Sequence, residues 1–148
     1  MLAPAHLPPH DPAERERYRV ELATDLSRVG EVVDTVCACC FAAAPPTSRT
    51  QFRLCTIVAE AVANAMLYGN GGDPERRVVI EVELGDDQMV IAVSDEGDGF
   101  DHETVPLPTG DESREAIRGR GLFMIHRLAD HVAFNDRGNT IWMTLPRR

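Results

Sequence analysis

The sequence contains no lysine, and each of its 15 basic residues is an arginine. This absence excludes a phosphate-binding lysine of the P-loop type and any lysine that forms a Schiff base. Basic residues are also outnumbered by acidic ones, so the formal net charge is -9 at pH 7. A surface of this sign repels nucleic-acid backbones and anionic lipids, so we expect neither a nucleic acid nor a membrane as a direct partner.

Long apolar segments are missing as well. No run of about 18 apolar residues occurs, so we expect no transmembrane helix. The N-terminus reads M-L-A-P-A-H-L-P-P-H and lacks the basic start and apolar core of a signal peptide. We therefore expect an intracellular, cytoplasmic protein.

The four cysteines lack the paired C-x-x-C spacing of common zinc sites. They are Cys37, Cys39, Cys40 and Cys55. Disulfides are rare in a reducing compartment, and a free cysteine among alanines and valines behaves as a small hydrophobic residue. We expect packing roles for these side chains.

The chain length predicts one domain, at residues 15–148, after a flexible proline-rich tail at residues 1–14. Apolar alternation predicts five strands, at residues 18–22, 78–84, 89–94, 132–134 and 141–145. Helical spacing and caps predict three helices, at about 25–43, at about 47–69 and from residue 122 onward. The order β-α-α-β-β-α-β-β favours an α/β (α+β) two-layer sandwich: a mixed, largely antiparallel sheet with three helices on one face.

The segment 57–67, I-V-A-E-A-V-A-N-A-M-L, is apolar except at Glu60 and Asn64. Residues four apart stand on one face of a helix, and a helix apolar on nearly every side is normally buried. An unpaired buried polar group costs about 1–3 kcal/mol, so the two side chains need partners. The partners are protein groups, water or a ligand.

Two glycine-containing stretches are further candidates. Asp95-Glu96-Gly97-Asp98-Gly99-Phe100 follows a buried strand, where an aspartate is a fixed acceptor for an amine. Gly119-Arg120-Gly121 precedes the third predicted helix, where free backbone N–H groups favour phosphates. Each stretch alone is a weak signal, equally compatible with a turn, and neither matches the G-x-G-x-x-G of a Rossmann unit.

The three segments together carry a family resemblance. E-x-x-x-N on a buried helix, D-x-G-x-G-F after a hairpin, and then a loop with G-x-G-L opening a helix occur in that order. The combination resembles the N box and the two glycine boxes of the GHKL (histidine-kinase-like) ATPase superfamily, and most closely its anti-sigma factor serine/threonine-protein kinases. The resemblance implies the Bergerat ATP-binding fold for about residues 17–146.

The resemblance assigns roles to individual residues. Glu60 would be the catalytic general base for the hydroxyl of a protein serine, or would orient a water. Asn64 would hold the Mg²⁺ that bridges the ATP phosphates, and Asp95 would bind the adenine amino group. The remaining nucleotide-binding residues that it implies are Gly97, Gly99, Gly119, Arg120, Gly121, Leu122 and Thr140. Residues 101–118 would form the ATP lid. Tyr68 departs from the family, which often has histidine there, and the sequence leaves open whether Arg118 or Arg120 reaches phosphate.

The implied function is that of an ATP-dependent anti-sigma factor. Such a protein sequesters a sigma factor and phosphorylates a serine or threonine of an anti-anti-sigma (STAS-type) partner, and the resemblance is compatible with a homodimer. Two alternatives stay open. One is a partner-switch binding module that binds ATP without transferring phosphate, and the other is the catalytic domain of a split histidine kinase.

Overall fold

A computed structural model of the chain describes residues 16–99 and 114–147, the side chains of 114–116 excepted. The predicted tail and most of the predicted lid lie outside these ranges. Within them, no helix is long and apolar enough to cross a membrane.

The sheet has five strands in the spatial order β1-β2-β3-β5-β4. They are β1 (Glu16–Ala23), β2 (Arg77–Leu84), β3 (Gln88–Ser94), β4 (His131–Phe134) and β5 (Thr140–Pro146). Every strand pair among the described residues is antiparallel. In the central pair, Ser94 at the end of β3 lies opposite Thr140 at the start of β5. This register brings the segment that follows β3 next to the turn that precedes β5.

Three helices pack on one face of this sheet: α1 (Val29–Cys40), α2 (Ser48–Asn64) and α3 (Arg114–Leu128). A 3-10 turn (Leu26–Arg28) precedes α1, and the Asp25 side chain caps it. Thr47 caps α2 because its side-chain oxygen accepts from the backbone N–H of Thr50. Both caps were among the predicted ones, and the predicted α+β sandwich is confirmed.

The core lies between the helices and the inner face of the sheet. Leu54, Ile57 and Val58 of α2 are fully buried against alternate strand residues such as Ile80 and Ile91. The apolar residues that alternate along the strands therefore pack against the apolar stretch of α2, as predicted. The opposite face of the sheet carries a smaller buried cluster of Val90, Ala92 and Trp142.

Two predicted helix boundaries are wrong. Helix α1 ends at Cys40, three residues before the predicted end. Helix α3 begins at Arg114, so the described part of the predicted loop 101–118 is helical and Gly119 and Gly121 lie inside a helix. Glycine was taken as a helix boundary signal, but the packing of α3 on α2 overrides that local preference.

Candidate functional site

Glu60 and Asn64 occupy the last two turns of α2, one turn apart. The helix buries Ile57, Ala61 and Val62 in the core, which holds the other side of α2 at the edge of that core. Both polar side chains are half-buried, so water and a ligand can reach them. The side-chain nitrogen of Asn64 is nevertheless buried and has no hydrogen-bond partner among the described residues.

Beyond Asn64 the helix widens into a single π turn, Ala65–Gly69. The turn is closed by the Asn70 N–H, which donates to the Ala65 carbonyl over 2.8 Å. Single π turns within helices often occur at functional sites. Here the turn carries the chain from α2 directly to the segment that follows β3, because Gly69 packs against Asp95 and Gly97.

Asp95 follows β3 and lies on the second side of the site. Its backbone N–H donates to the Asn139 carbonyl over 2.9 Å, and its Oδ1 accepts from the Gly97 N–H over 2.8 Å. A Cβ atom at Gly69 would overlap the Asp95 carboxylate, and a Cβ atom at Gly97 would overlap the Gly69 carbonyl oxygen. The two glycines are therefore required by close packing, and the carboxylate is fixed in direction.

Gly99 is required for a different reason. Its φ of +86° favours glycine, and a Cβ atom there would overlap the Arg137 carbonyl oxygen. The D-x-G-x-G pattern is thus explained by the backbone contacts of this turn. Whether these glycines also give room to a bound base stays a prediction.

The Asp95 carboxyl is held in an environment that disfavours its charge. Burial raises its pKa from 3.8 to about 6, against the opposing effects of the Gly97 hydrogen bond and of the arginines Arg118 and Arg76. Perturbed carboxyl groups of this kind are concentrated at functional sites. Among the described carboxyl groups, Asp95 is the one whose pKa burial raises most clearly.

A cavity open to solvent lies between α2, α3 and the ends of β3 and β5. Its empty space, with the solvent at its mouth included, is about 450 Å³. Five of the ten predicted site residues line it: Asn64, Asp95, Gly99, Leu122 and Thr140. Thr140 is positioned by the hydroxyl of Ser94, 2.9 Å away across the β3–β5 register. Apolar walls with a few converging polar groups are typical of a small-molecule site.

The other predicted residues adjoin the cavity or lie on α3. Gly121 packs against Glu60 and Asn64, because a Cβ atom there would come within 2.7 Å of Glu60 Oε2 and 3.2 Å of Asn64 Nδ2. Gly119 is buried on α3, and Arg120 is half-buried on the same helix. The N–H groups of Gly119 and Gly121 lie beyond the first turn of α3, so regular helix geometry directs them to carbonyl groups four residues earlier. The prediction that they stand free before a helix is therefore wrong for this structure.

Arg118 is the α3 arginine that reaches the cavity. It is among the lining residues, and its guanidinium carbon lies 5.1 Å from the centre of the Tyr68 ring. The aromatic face attracts the cation and fixes its position. Tyr68, which departs from the family pattern, thus has a structural partner in this chain.

Asn70 is the main site residue that the sequence reasoning missed. It is 2% exposed, and its amide nitrogen donates to Thr24 Oγ1 and the Arg77 carbonyl, at 2.9 and 3.1 Å. Its oxygen accepts from the Glu96 N–H at 2.9 Å. Asn70 therefore ties the π turn, the end of β1 and the start of β2 to the residue next to Asp95. The only signal was an asparagine in a glycine-rich turn, which usually indicates turn geometry alone.

The residues present fit a nucleotide with a metal ion. The cavity is lined by apolar side chains and a few polar groups, and Asp95 offers a fixed acceptor in its wall. The unpartnered side-chain nitrogen of Asn64 is a donor that a phosphate oxygen of a nucleotide could satisfy, and the oxygen of the same amide could hold a metal ion. Residues 16–99 and 114–147 contain no cluster of three His, Cys, Asp or Glu side chains suited to a metal. A metal ion held by Asn64 would therefore need phosphate oxygens of the nucleotide among its other ligands.

Comparison with known proteins agrees with this geometry. Residues 22–145 match the family "Histidine kinase-like ATPase domain". An "Anti-sigma F factor" from Oceanobacillus iheyensis is 32% identical over 105 residues, which are 67% of this chain and 71% of that protein. A "Serine-protein kinase RsbW" from Staphylococcus aureus (strain JH9) is 37% identical over 95 residues, 59% of this chain and 60% of the kinase. The match thus spans less than two thirds of the kinase.

The fold, the cavity and the family match define a histidine kinase-like ATPase domain, and this class implies ATP binding. The chain belongs to this family and, within it, to the anti-sigma factor serine/threonine-protein kinases.

Proposed function

We propose that this protein is an ATP-binding anti-sigma factor. It would sequester a sigma factor and phosphorylate a serine or threonine of an anti-anti-sigma protein. The names of the two relatives support this role, since one is an anti-sigma factor and the other a serine-protein kinase. The observation that carries the chemistry is the arrangement of Glu60 and the unpartnered Asn64 amide one helical turn apart, next to a cavity that also contains Asp95.

Each residue has a proposed task in this reaction. Asp95 would accept a hydrogen bond from the adenine amino group, and Thr140 would line the same end of the cavity. Asn64 would hold Mg²⁺ through its amide oxygen, and Arg118 would add positive charge near the phosphates. Bound Mg-ATP would supply the phosphoryl group and neutralise much of its charge, so the protein would contribute mainly positioning.

Glu60 would act on the protein substrate. Its carboxylate would take the proton of the serine hydroxyl while the serine oxygen forms a bond to the γ-phosphorus. The bond from that phosphorus to the β–γ bridging oxygen breaks, and ADP leaves with the electron pair. Glu60 is half-buried beside Gly121, so its carboxylate stays accessible to a hydroxyl from outside.

The test is phosphoryl transfer from radiolabelled ATP to the cognate anti-anti-sigma protein, with wild type and Glu60→Gln. We expect the variant to lose transfer by at least about a hundredfold, as for a removed general base, and to bind ATP with little change. Glu31→Gln is the matched control, because Glu31 is an exposed glutamate of α1 that pairs with Arg28. Normal transfer by Glu60→Gln would contradict the assignment.

The same assay separates the alternatives. ATP binding by the wild type without labelling of a cognate partner would identify a binding module. Labelling of a histidine on a helical partner would identify the catalytic domain of a split histidine kinase. Acid-stable label on serine or threonine is the result expected here.

A further inference from the structure

Two cysteines from different helices lie side by side, away from the cavity. The Sγ atoms of Cys37 on α1 and Cys55 on α2 are 3.2 Å apart. Both are free thiols, and both are half-buried, so small solutes have partial access. Neither residue is among those that line the cavity. The expectation that all four cysteines serve only for packing does not account for this pairing.

We propose that Cys37 and Cys55 are a redox modification site, at which a peroxide joins α1 to α2 through a disulfide. A disulfide requires the sulfurs at about 2.05 Å, so they need to approach by only about 1.1 Å. The two helices are already packed against each other in one core. Cys39 and Cys40 of the same helix have no sulfur contact of this kind with Cys55 among the described residues.

The reaction balances with hydrogen peroxide as oxidant. One thiolate attacks the peroxide, becomes a sulfenic acid and releases water after proton uptake. The second thiol then attacks the sulfenic sulfur, forms the S–S bond and releases a second water. The two sulfurs together lose two electrons, which the peroxide oxygens accept.

The environment of the pair makes this reaction slow and dependent on pH. Burial, aided by the hydrogen bond with Cys55, raises the pKa of Cys37 to about 12. The thiolate is the reactive form, so the bond should form faster as the pH rises. The buried Cys40 and the carboxylate of Asp34, both on α1, also raise the pKa of Cys37.

The disulfide would restrain the helices without changing the ATP site. It would close a loop that contains the connection between α1 and α2, which lowers the entropy of the unfolded chain. We expect the melting temperature to rise by about 5–10 °C on oxidation. ATP affinity should stay within about twofold of the reduced protein, because the cavity residues are untouched. This inference is independent of the proposed kinase activity.

The test is intact mass and peptide mapping of the full chain before and after hydrogen peroxide, with remaining thiols alkylated. The reduced chain should take up four alkyl groups and the oxidised chain two, since the sequence has four cysteines. Trypsin cleaves only after arginine here, so the cross-link should join fragments 29–49 and 54–76. Cys37→Ser and Cys55→Ser should lose the link, and Cys39→Ser should keep it.

Three results would overturn the proposal. One is alkylation of all four thiols after peroxide treatment. Another is a link that persists in Cys37→Ser, and the third is a link between two chains in place of one within the chain. Fragment 29–49 contains Cys37, Cys39 and Cys40, so fragmentation of the linked wild-type peptides in the mass spectrometer is needed to locate the bond. This measurement decides the question even if a serine variant folds poorly.

Discussion

The cavity has two ends that are built differently. At the Asp95 end (residues 94–99 with Thr140), the polar groups described above have protein partners, and glycine contacts fix the backbone. At the Asn64 end (Glu60, Asn64 and Gly121), a buried amide nitrogen has no partner among the described residues, and a helix lies directly on the two side chains.

The difference shows which end of the site is fully formed once the chain has folded. The Asp95 end is stabilised by the fold and should be rigid before any ligand binds. The Asn64 end keeps an unsatisfied polar group, which destabilises the free protein by about 1–3 kcal/mol and would be relieved by binding. Substitutions at the first end should therefore affect stability and binding together, whereas those at the second end should weaken binding without lowering stability.

The largest stability loss is expected for Gly97→Ala. The new methyl group would overlap the Gly69 carbonyl oxygen, so the π turn or the Asp95 segment must shift. We expect the free energy of unfolding to fall by about 3 kcal/mol, measured by urea denaturation. Gly30→Ala is the control, because no atom lies within 4 Å of a Cβ there. It lies in α1 and should stabilise by about 0.5–1 kcal/mol. A loss under 1 kcal/mol for Gly97→Ala would show that the Asp95 end is not rigid.

Asn70→Ala should have the next largest effect. It leaves the Glu96 N–H without its acceptor and removes the two bonds that the buried Asn70 makes to Thr24 and Arg77. We expect a loss of about 2–3 kcal/mol in stability. We also expect about tenfold weaker ATP binding, because the segment beside Asp95 loses its tether.

Thr24→Val separates a positioning role of Asn70 from general destabilisation. It removes the Thr24 hydroxyl, which bonds Asn70 and the Arg76 carbonyl, but leaves the Asn70–Glu96 bond intact. Its stability should fall while ATP affinity stays near the wild-type value. Equal weakening of ATP binding in both variants would mean that Asn70 acts only through stability.

The smallest effect is expected for Asp95→Asn, and it is a gain. The pKa of Asp95 is raised in the folded state, to about 6 from 3.8, so the folded chain binds the proton more tightly than the unfolded chain. The stability of the wild type should therefore fall as the pH rises from about 4 to about 6. The asparagine variant lacks this penalty and should be about 1 kcal/mol more stable at pH 7, after allowance for partial exposure.

Urea denaturation of both proteins at pH 3.5 and pH 7 measures this difference. The two should be almost equally stable at pH 3.5, because the carboxyl, with a pKa of about 6 when folded and 3.8 when unfolded, is protonated in the folded state and mostly protonated in the unfolded state. ATP binding by the variant should weaken at pH 7, because the charged acceptor is gone. A less stable variant at pH 7 would show that Asp95 is stabilised as a carboxylate.

Much of this arrangement could be predicted from the sequence. Alternation located the five strands, the apolar stretch located α2 with Glu60 and Asn64, and the family resemblance selected Asp95 and Thr140 for the cavity. These predictions rest on periodicity and on local motifs, which a single sequence shows directly.

Other features depend on contacts between distant segments. Gly121 was read as a residue before a helix, yet it lies within α3, where a Cβ atom would crowd the ends of the Glu60 and Asn64 side chains. Asn70 gave only the signal of a turn, because its three partners come from separate parts of the chain. The Cys37–Cys55 contact has the same origin, since it needs the packing of α1 on α2.

The most direct test of the central claim is calorimetric titration of ATP, with and without Mg²⁺, into the wild type and Asn64→Ala. We expect Mg-dependent binding to the wild type and at least about tenfold weaker binding to the variant, whose stability should be unchanged or slightly higher. Equal, Mg-independent affinity in the two proteins, or no binding to the folded wild type, would contradict an ATP site centred on Asn64.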